Sequence, residues 1–457
     1  MRIDGLPAEP IICREVRFHG CLGEHPFCRA ALVIPGEQAE KYLEAAENRT
    51  GVNVTDDDGE CILSGFVYSC SIAEKVSETT AELIIYSRSV LLSEKGEERL
   101  YQCPTKTLND ILSDFPDAEI GEGVERGAVL EEIIYQHNSD DFSFLKMVAD
   151  RCGCILAVTE EGRISFGRIL NPGAKLFLSS EDRRRRVFSP RLFSERGRRG
   201  IEFKALKKLP VGSEVEIDGS VYLLAEVTAS KEFHEEVYSY VGYAEQSEKQ
   251  CAVLTGELTA QAEVMDNNDP EKQGRVQVRF LNYQDNAKER AWIPLLTPFI
   301  GRHSGGFVMI PDVGDHVVVH ITDGIPYVIG SLRKECIPEN CSDVNNKYLA
   351  MDKTVIEVDD RHIRITQGDK TSCVIKDGEV VLELDKTAVQ ANCSSVIADA
   401  DKIQLQANQT LISGGQSKLT LEESQAELSS TGSSLSLTSG ASELSGSSIK
   451  LSSPGRV

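Results

Sequence analysis

His316 and His320 stand four residues apart, the spacing at which one face of a helix grips a zinc ion. The surrounding DHVVVH alternates polar and apolar residues as a strand does, and on a strand that spacing is about 13 Å, too far for one ion. Asp56, Asp57, Asp58 and Glu60 gather carboxylates in DDDGE. They are too few at calcium-loop spacing, and the Asp-Gly pair reads as a hairpin turn. GEGVERG, from Gly121 to Gly127, approaches a dinucleotide fingerprint, but its sixth position is Arg126. It reads as a loop before a strand. Of the 13 cysteines only Cys152 and Cys154 are close, and no second pair completes a zinc set. They read as reduced, mostly buried thiols. No G-x-S-x-G turn and no P-loop occurs. A wall hydrolase would need two placed carboxylates in a cleft domain, and no region is left over to hold one. The expectation is a protein with no catalytic residues, no metal and no cofactor.

What remains is charge. Asp and Glu total 72 against 49 Lys and Arg, for a formal net charge of -23. So acidic a chain is a poor partner for nucleic acid. Against it stands one basic run, Arg183, Arg184, Arg185 and Arg186, followed by Arg191, Arg196, Arg198 and Arg199. No aromatic stacking motif accompanies it, so it reads either as a solvated loop or as an electrostatic contact with an acidic partner or neighbouring subunit. No run of eighteen apolar residues exists, and the start lacks the regions of a signal peptide. The chain is expected to stay in the cytoplasm during assembly.

Three textures organise the 457 residues. The first part is mixed. AALVIPG and AELIIYSRSVLL read as buried strands, and GEQAEKYLEAAENRTG as a short amphipathic helix ending at Gly51. SDDFSFLKMVADRCGC reads as a helix capped by Ser139 or Asp140, with Phe144, Met147 and Val148 on one face and Gly153 as its stop. GSEVEIDGSVYLLAEVTA alternates around an Asp-Gly turn, a hairpin signal. From residue 250 to about 335, five apolar runs separated by turn residues suggest a small closed barrel of the OB type.

From about 350 the chain becomes short alternating segments without aromatics beyond Tyr348. Ile403 and Leu405, Leu411, Leu419 and Leu421, Leu428, Leu435 and Leu437, Leu444, then Ile449 and Leu451 recur about every eight residues, with Ser- or Gly-rich turns between. A strand with two apolar anchors cannot build a core in one chain. Three chains round one axis can, with Ile403, Leu405, Leu419, Leu421, Leu435 and Leu437 in the core and backbone bonds running between chains.

NDPEKQGRVQVRF, RAWIPLLTPFIGRHSGGFVMIPDVGDHVVV and GIPYVIGSL resemble the OB domain of VgrG spike proteins and their phage relatives. The matching positions are Asp269, Pro270, Gly274, Arg275, Val276, Val278, Trp292, Gly305, Gly306, Pro311, Gly314, Val317, Val319 and Gly330. YQHNSDDFSFLKMVADRCGCILA resembles the phage late-control or hub domain more weakly. The resemblance implies a mainly β chain: a hub domain (1–249) with two β-barrels and inserted helices, an OB-fold barrel (250–335), a connector (336–349) and a trimeric intertwined β-helix (350–457). The two hub barrels are expected within 1–100 and 165–245. The resemblance also implies a homotrimer that joins an inner tube ring and baseplate proteins to a puncturing tip, with effector cargo and a transient contact with the target membrane. The particle would be ejected or released outside the cell.

Relatives carry a PAAR-type cone on the tip. Here Ile449, Leu451, Ser452, Ser453 and Pro454 are its expected docking site, because Pro454 blocks a further rung and no histidine beyond His362 could hold a tip metal. Two rival readings differ in class. A glycan-binding adhesin would want aromatics on the repeats, and a cell-wall hydrolase would want the missing cleft.

Overall fold

The computed structural model describes the chain except residues 122, 126, 128, 170–174, 196, 233–234, 245–256, 286, 301–305, 333–344, 346, 352, 386, 393, 401, 405–408 and 449–457. It divides into two compact units, Met1–Lys334 and Glu335–Val457.

The first unit opens with β1 (Arg2–Asp4), β2 (Ile12–Cys21), β3 (Phe27–Ile34), α1 (Ala39–Glu47), β4 (Gly51–Thr55), β5 (Cys61–Lys75) and β6 (Glu78–Ser87). Helix α1 ends before the expected Gly51: Arg49 takes a left-handed φ of 50° and Gly51 already starts β4. Next come β7 (Arg99–Tyr101), α2 (Leu108–Leu112), β8 (Ala118–Ile120), β9 (Ile134–Gln136), α3 (Asp141–Arg151), β10 (Leu156–Val158) and β11 (Ile164–Phe166). Asp140, one of the two expected caps, accepts from the Ser143 N–H at 2.8 Å. Then follow β12 (Lys175–Leu176), β13 (Phe188–Glu195), β14 (Arg198–Ala205), β15 (Glu214–Ile217), β16 (Ser220–Glu232) and β17 (Glu235–Ala244).

The two expected hub barrels are one sheet. Twelve strands run β1-β4-β5-β6-β3-β2-β16-β17-β14-β13, with β15 on β16 and β12 on β15. The join is Phe18–Cys21 of β2 against Glu226–Ala229 of β16. Strand pairing between the two halves replaces closure of either. Both halves also share one core, in which Leu32, Ile62 and Ile85 meet Phe203, Val215 and Tyr240. The predicted turns are where expected. Gly59 (φ 86°) closes the DDDGE hairpin, and Asp218 and Gly219 (φ 45° and 84°) close β15–β16.

The OB region holds β18 (Glu257–Asp266), β19 (Gln277–Phe280), β20 (His316–Thr322) and β21 (Ile325–Leu332). They form an open sheet in the order β19-β18-β20-β21, not a closed barrel of five. The expected fifth strand, around Trp292, is instead a connecting segment. Ile293 bridges Val276 beside one edge and Leu295 bridges Val328 on the other. The prolines at 294 and 298 lack the donors a longer ladder needs. This core also takes in Leu100 and Ile133 from the hub, so hub and OB region pack as one body. No helix of the described residues is long and apolar enough to cross a membrane.

The second unit is all strand. β22 (Lys347–Met351), β23 (Thr354–Val358), β24 (His362–Gln367), β25 (Thr371–Lys376), β26 (Glu379–Leu384), β27 (Thr387–Asn392) and β28 (Val396–Asp399) form a seven-stranded antiparallel sheet. β29 (Gln409–Gly414), β30 (Ser417–Glu422), β31 (Gln425–Ser430), β32 (Ser433–Thr438) and β33 (Ser442–Gly446) form a second sheet, of five strands. Within each sheet, every strand pairs with the next in sequence. The backbone ladder therefore runs within the chain, correcting the expectation that it runs between chains. Turns as short as two residues suffice, with Gly378 (φ 72°) and Gly432 (φ 76°) supplying the left-handed backbone. Short turns make neighbouring strands in sequence neighbours in space.

Candidate functional site

The register of the second unit sorts its side chains into two faces. Directly paired residues point the same way. Across the seven-stranded sheet, Ile356, Ile365, Cys373, Leu382 and Val389 form one rank, and Val358, Ile363, Ile375, Val380 and Ala391 the next. Glu357, Arg364, Val374, Val381 and Gln390 form a rank on the opposite, more polar face, with Lys376 beside it. In the five-stranded sheet Ile412, Leu419, Leu428, Leu435 and Leu444 form a rank, flanked by Leu421, Ala426 and Leu437.

The predicted core residues Leu419, Leu421, Leu435 and Leu437 thus share a face. Ile403 is exposed and lies outside any strand, and Leu405 lies outside the described residues. Leu411 is a correction. It pairs with Thr420 on the polar face, and Ile412 takes its place. Two adjacent β-branched or branched residues fit the eight-residue rhythm equally, and only the register separates them.

These apolar ranks are bare in a single chain. Leu382 is 43% exposed, Leu428 54% and Leu437 45%. Alternation this regular on an uncovered face is a surface that lacks its partner.

The OB motif is built around one carboxylate. Asp269 accepts from the backbone N–H of Glu271 (3.0 Å) and Gln273 (2.9 Å), and from the Arg275 Nε (3.0 Å) and Nη2 (2.8 Å). These donors, the Arg275 guanidinium foremost, hold its carboxyl well below the usual range. Lys272 (φ 56°) and Gly274 (φ 73°) bend the loop round it. Val276, Val278, Val317 and Val319 are fully buried beneath. Gly305 lies outside the described residues. The motif is a structural clamp that shapes the loop entering β19.

The basic run forms a turn over Arg183–Arg185, capped by Asp182. Arg183 pairs with Glu235 at 2.9 Å, Arg184 with Asp58 at 3.1 Å, and Arg185 with Asp182 at 3.8 Å. Arg186 lies over the Phe188 ring, 5.6 Å from its centroid. The side chains of the first three stay more than half exposed. The docking residues Ile449, Leu451, Ser452, Ser453 and Pro454, and Arg196, lie outside the described residues.

His316 and His320 sit on β20, and among the described residues no group of three or more His, Cys, Asp or Glu could hold a metal. One serine–histidine contact escaped sequence reasoning, because its members are distant in the chain. His25 meets Ser89 at 2.9 Å through Nδ1 and Ser93 at 2.8 Å through Nε2, and its ring lies 3.9 Å from that of Phe142. Burial pushes the imidazole down to about 4. Both of its hydrogen-bond partners are hydroxyls and neither is a carboxylate, so the group is a neutral clasp pinning the β2–β3 turn to the segment after β6 and to Phe142 of α3. The unfolded chain binds this proton below the ordinary 6.5 and the folded chain only below about 4. Stability is therefore fully present above pH 6.5 and falls as the pH drops toward 4. Thermal melts should lose a few degrees over that window, and His25→Gln should flatten the loss. An unchanged slope in the variant would remove His25 as its cause.

Residues 260–332 match the family described as the Type VI secretion system/phage-baseplate injector OB domain. That is the class this part of the chain defines. In fold, the chain is similar to the E. coli c3393 protein, a component of the type VI secretion system described as structurally similar to the T4 bacteriophage tail proteins gp27 and gp5. The identity is 15% and the TM-score 0.51, over 72% of this chain and 99% of that one. Also similar are a half-lidded Francisella PdpA-VgrG complex (8% identity, TM-score 0.49, 84% of this chain and 83% of that one) and a tail protein from Neisseria meningitidis MC58 (12%, 0.40, 55% and 97%). No curated protein sequence matches significantly. The OB domain is of the injector type, and the overall fold is similar to that of a type VI secretion component. The adhesin and hydrolase readings gain no support.

Proposed function

We propose that this chain is the central spike and hub of a contractile injection machine, acting mechanically as a homotrimer. The observation that carries the reading is the bare apolar face of strands β22–β33, in a chain that also carries an injector-type OB domain. Three copies, each turning that face to a common axis, bury it without aromatics and leave the polar faces outward. The domains fall at 1–249, 250–335, 336–349 and 350–457. The hub joins an inner tube ring and baseplate proteins. A PAAR-type cone caps the tip at 449–454, and the particle delivers effectors outside the cell, touching the target membrane in passing. The Arg183–Arg186 run is the candidate contact with acidic surroundings at the hub.

The test is co-purification of the full-length chain with candidate tube and cone proteins from the same organism. The wild type should be a trimer that retains both. Replacing Arg183, Arg184, Arg185 and Arg186 with Ser should weaken tube retention and leave the trimer intact, since exposed ion pairs contribute at most about 1 kcal/mol each. Deleting 449–457 should release the cone and keep the tube. A monomer that retains neither protein defeats the reading. Normal assembly of the serine variant at physiological salt defeats the arginine contact alone.

A further inference from the structure

The OB domain carries an arm that its own fold does not explain. Its two legs lie between β19 and β20 in the chain: Leu296 to Ile300 runs out and Gly306 to Ile310 returns. They are held together at Ile300 and Gly306, with the Phe307 N–H donating to the Phe299 carbonyl at 3.1 Å. A side chain in place of Gly306 would approach the Ile300 Cα to 3.3 Å, so glycine lets the legs close. The base is pinned by the Asn267 amide, which donates to the Pro311 carbonyl at 3.0 Å.

Almost nothing covers the arm. Phe299 is 62% exposed and Ile300 72%, and Phe307, Val308, Met309 and Ile310 are each more than two-fifths exposed. Beyond the Ile300–Gly306 bridge the returning leg forms no further strand pairing among the described residues, so its side chains are not covered by a neighbouring strand. Four consecutive apolar residues, Phe307 to Ile310, therefore stay open to solvent. So much exposed apolar surface in one short segment is a contact that lacks its partner.

Charge identifies the partner. The chain has a net charge of -23, yet no acidic residue occurs between Glu289 and Asp312. Copies of so acidic a chain repel one another over most of their surface. The acid-free ribbon is where such copies can approach.

We propose that the arm is an inter-subunit clasp, lodged against the OB domain of a second copy of this chain. This rests on the trimer reading above. The arm would fix the angular register of the three OB domains, so that the sheets following them start in phase.

The test uses the full-length protein alone, with Phe307→p-benzoylphenylalanine and, as control, Lys418→p-benzoylphenylalanine on the polar face of β30. Both are checked by circular dichroism and light scattering before irradiation. The expected result is covalent species of two and three chains from the Phe307 position and none from Lys418. A trimer that gives no interchain product at Phe307 overturns the clasp and leaves the trimer standing. A folded monomer overturns both.

Discussion

Leu421→Asp should abolish the proposed trimer, and Leu411→Asp should leave it intact. The two leucines are ten residues apart in a similar Ser- and Thr-rich context. Register separates them: Leu421 pairs with Ala426 on the apolar face, and Leu411 pairs with Thr420 on the polar one. In an assembled spike the first substitution buries a carboxylate against two symmetry copies of itself. An uncompensated buried charge costs several kcal/mol, and here three like charges share one axis, so a loss of about 3–5 kcal/mol per chain is expected. Three chains already carry 3 × (-23) = -69 formal charges that apolar burial must offset. The second substitution lies on a solvated face and should stay within about 0.5 kcal/mol. Mass photometry at micromolar concentration, with far-ultraviolet circular dichroism, reads both. A stable Leu421→Asp trimer would mean that the spike does not close on this face.

How much of this was legible in the sequence follows from the range of the interactions. The eight-residue rhythm is local, since each turn and strand is complete within it, and strands β29 to β33 fall at that spacing. The OB motif was legible because Asp269 and Arg275 are six residues apart and meet within one loop. What failed was non-local. Whether the hub's two halves close separately or join depends on β2 meeting β16, some 200 residues later, and alternation says only which face is buried. The choice between Leu411 and Ile412 also needed the partner strand. The described legs of the arm fall mostly within two apolar runs, ERAWIPLLTP and GGFVMIPDVGDHVVVHI, that read as strands, and apolar runs are normally buried. Only the structure shows these side chains left outside.

Asp141→Ala should be the most damaging change inside the hub, at a place sequence reasoning did not single out. Asp141 opens α3, where a carboxylate also suits the positive end of the helix. Its Oδ1 accepts from the Arg99 Nη1 at 2.6 Å and from the Gln136 Nε2 at 2.9 Å. The Arg99 and Asp141 side chains are each 8% exposed. Arg99 also donates to the Gln136 Oε1 at 2.6 Å, lies 4.7 Å from the Phe115 ring centroid, and reaches the half-exposed Glu97 at 3.1 Å. Removing Asp141 leaves a buried guanidinium with one neutral acceptor and one screened carboxylate. Breaking a buried pair from one side costs about 3–5 kcal/mol, and Glu97 should hold the loss to about 3. Taking out both ends with apolar residues, Arg99→Met with Asp141→Leu, should recover most of it. The site also bears on mechanics. β7 carries Arg99, and the same strand bonds to the OB region, with the Leu100 N–H on the Gln284 carbonyl at 3.3 Å and the Gln284 N–H on that of Glu98 at 2.7 Å. In a spike driven from the hub, load reaches the OB domain partly through this strand, so a loosened Arg99 weakens the joint as well as the core. Urea unfolding of the three proteins decides the matter. A single-variant loss below about 1 kcal/mol, or a double variant no better than Asp141→Ala, would show that Arg99 does not depend on its buried carboxylate.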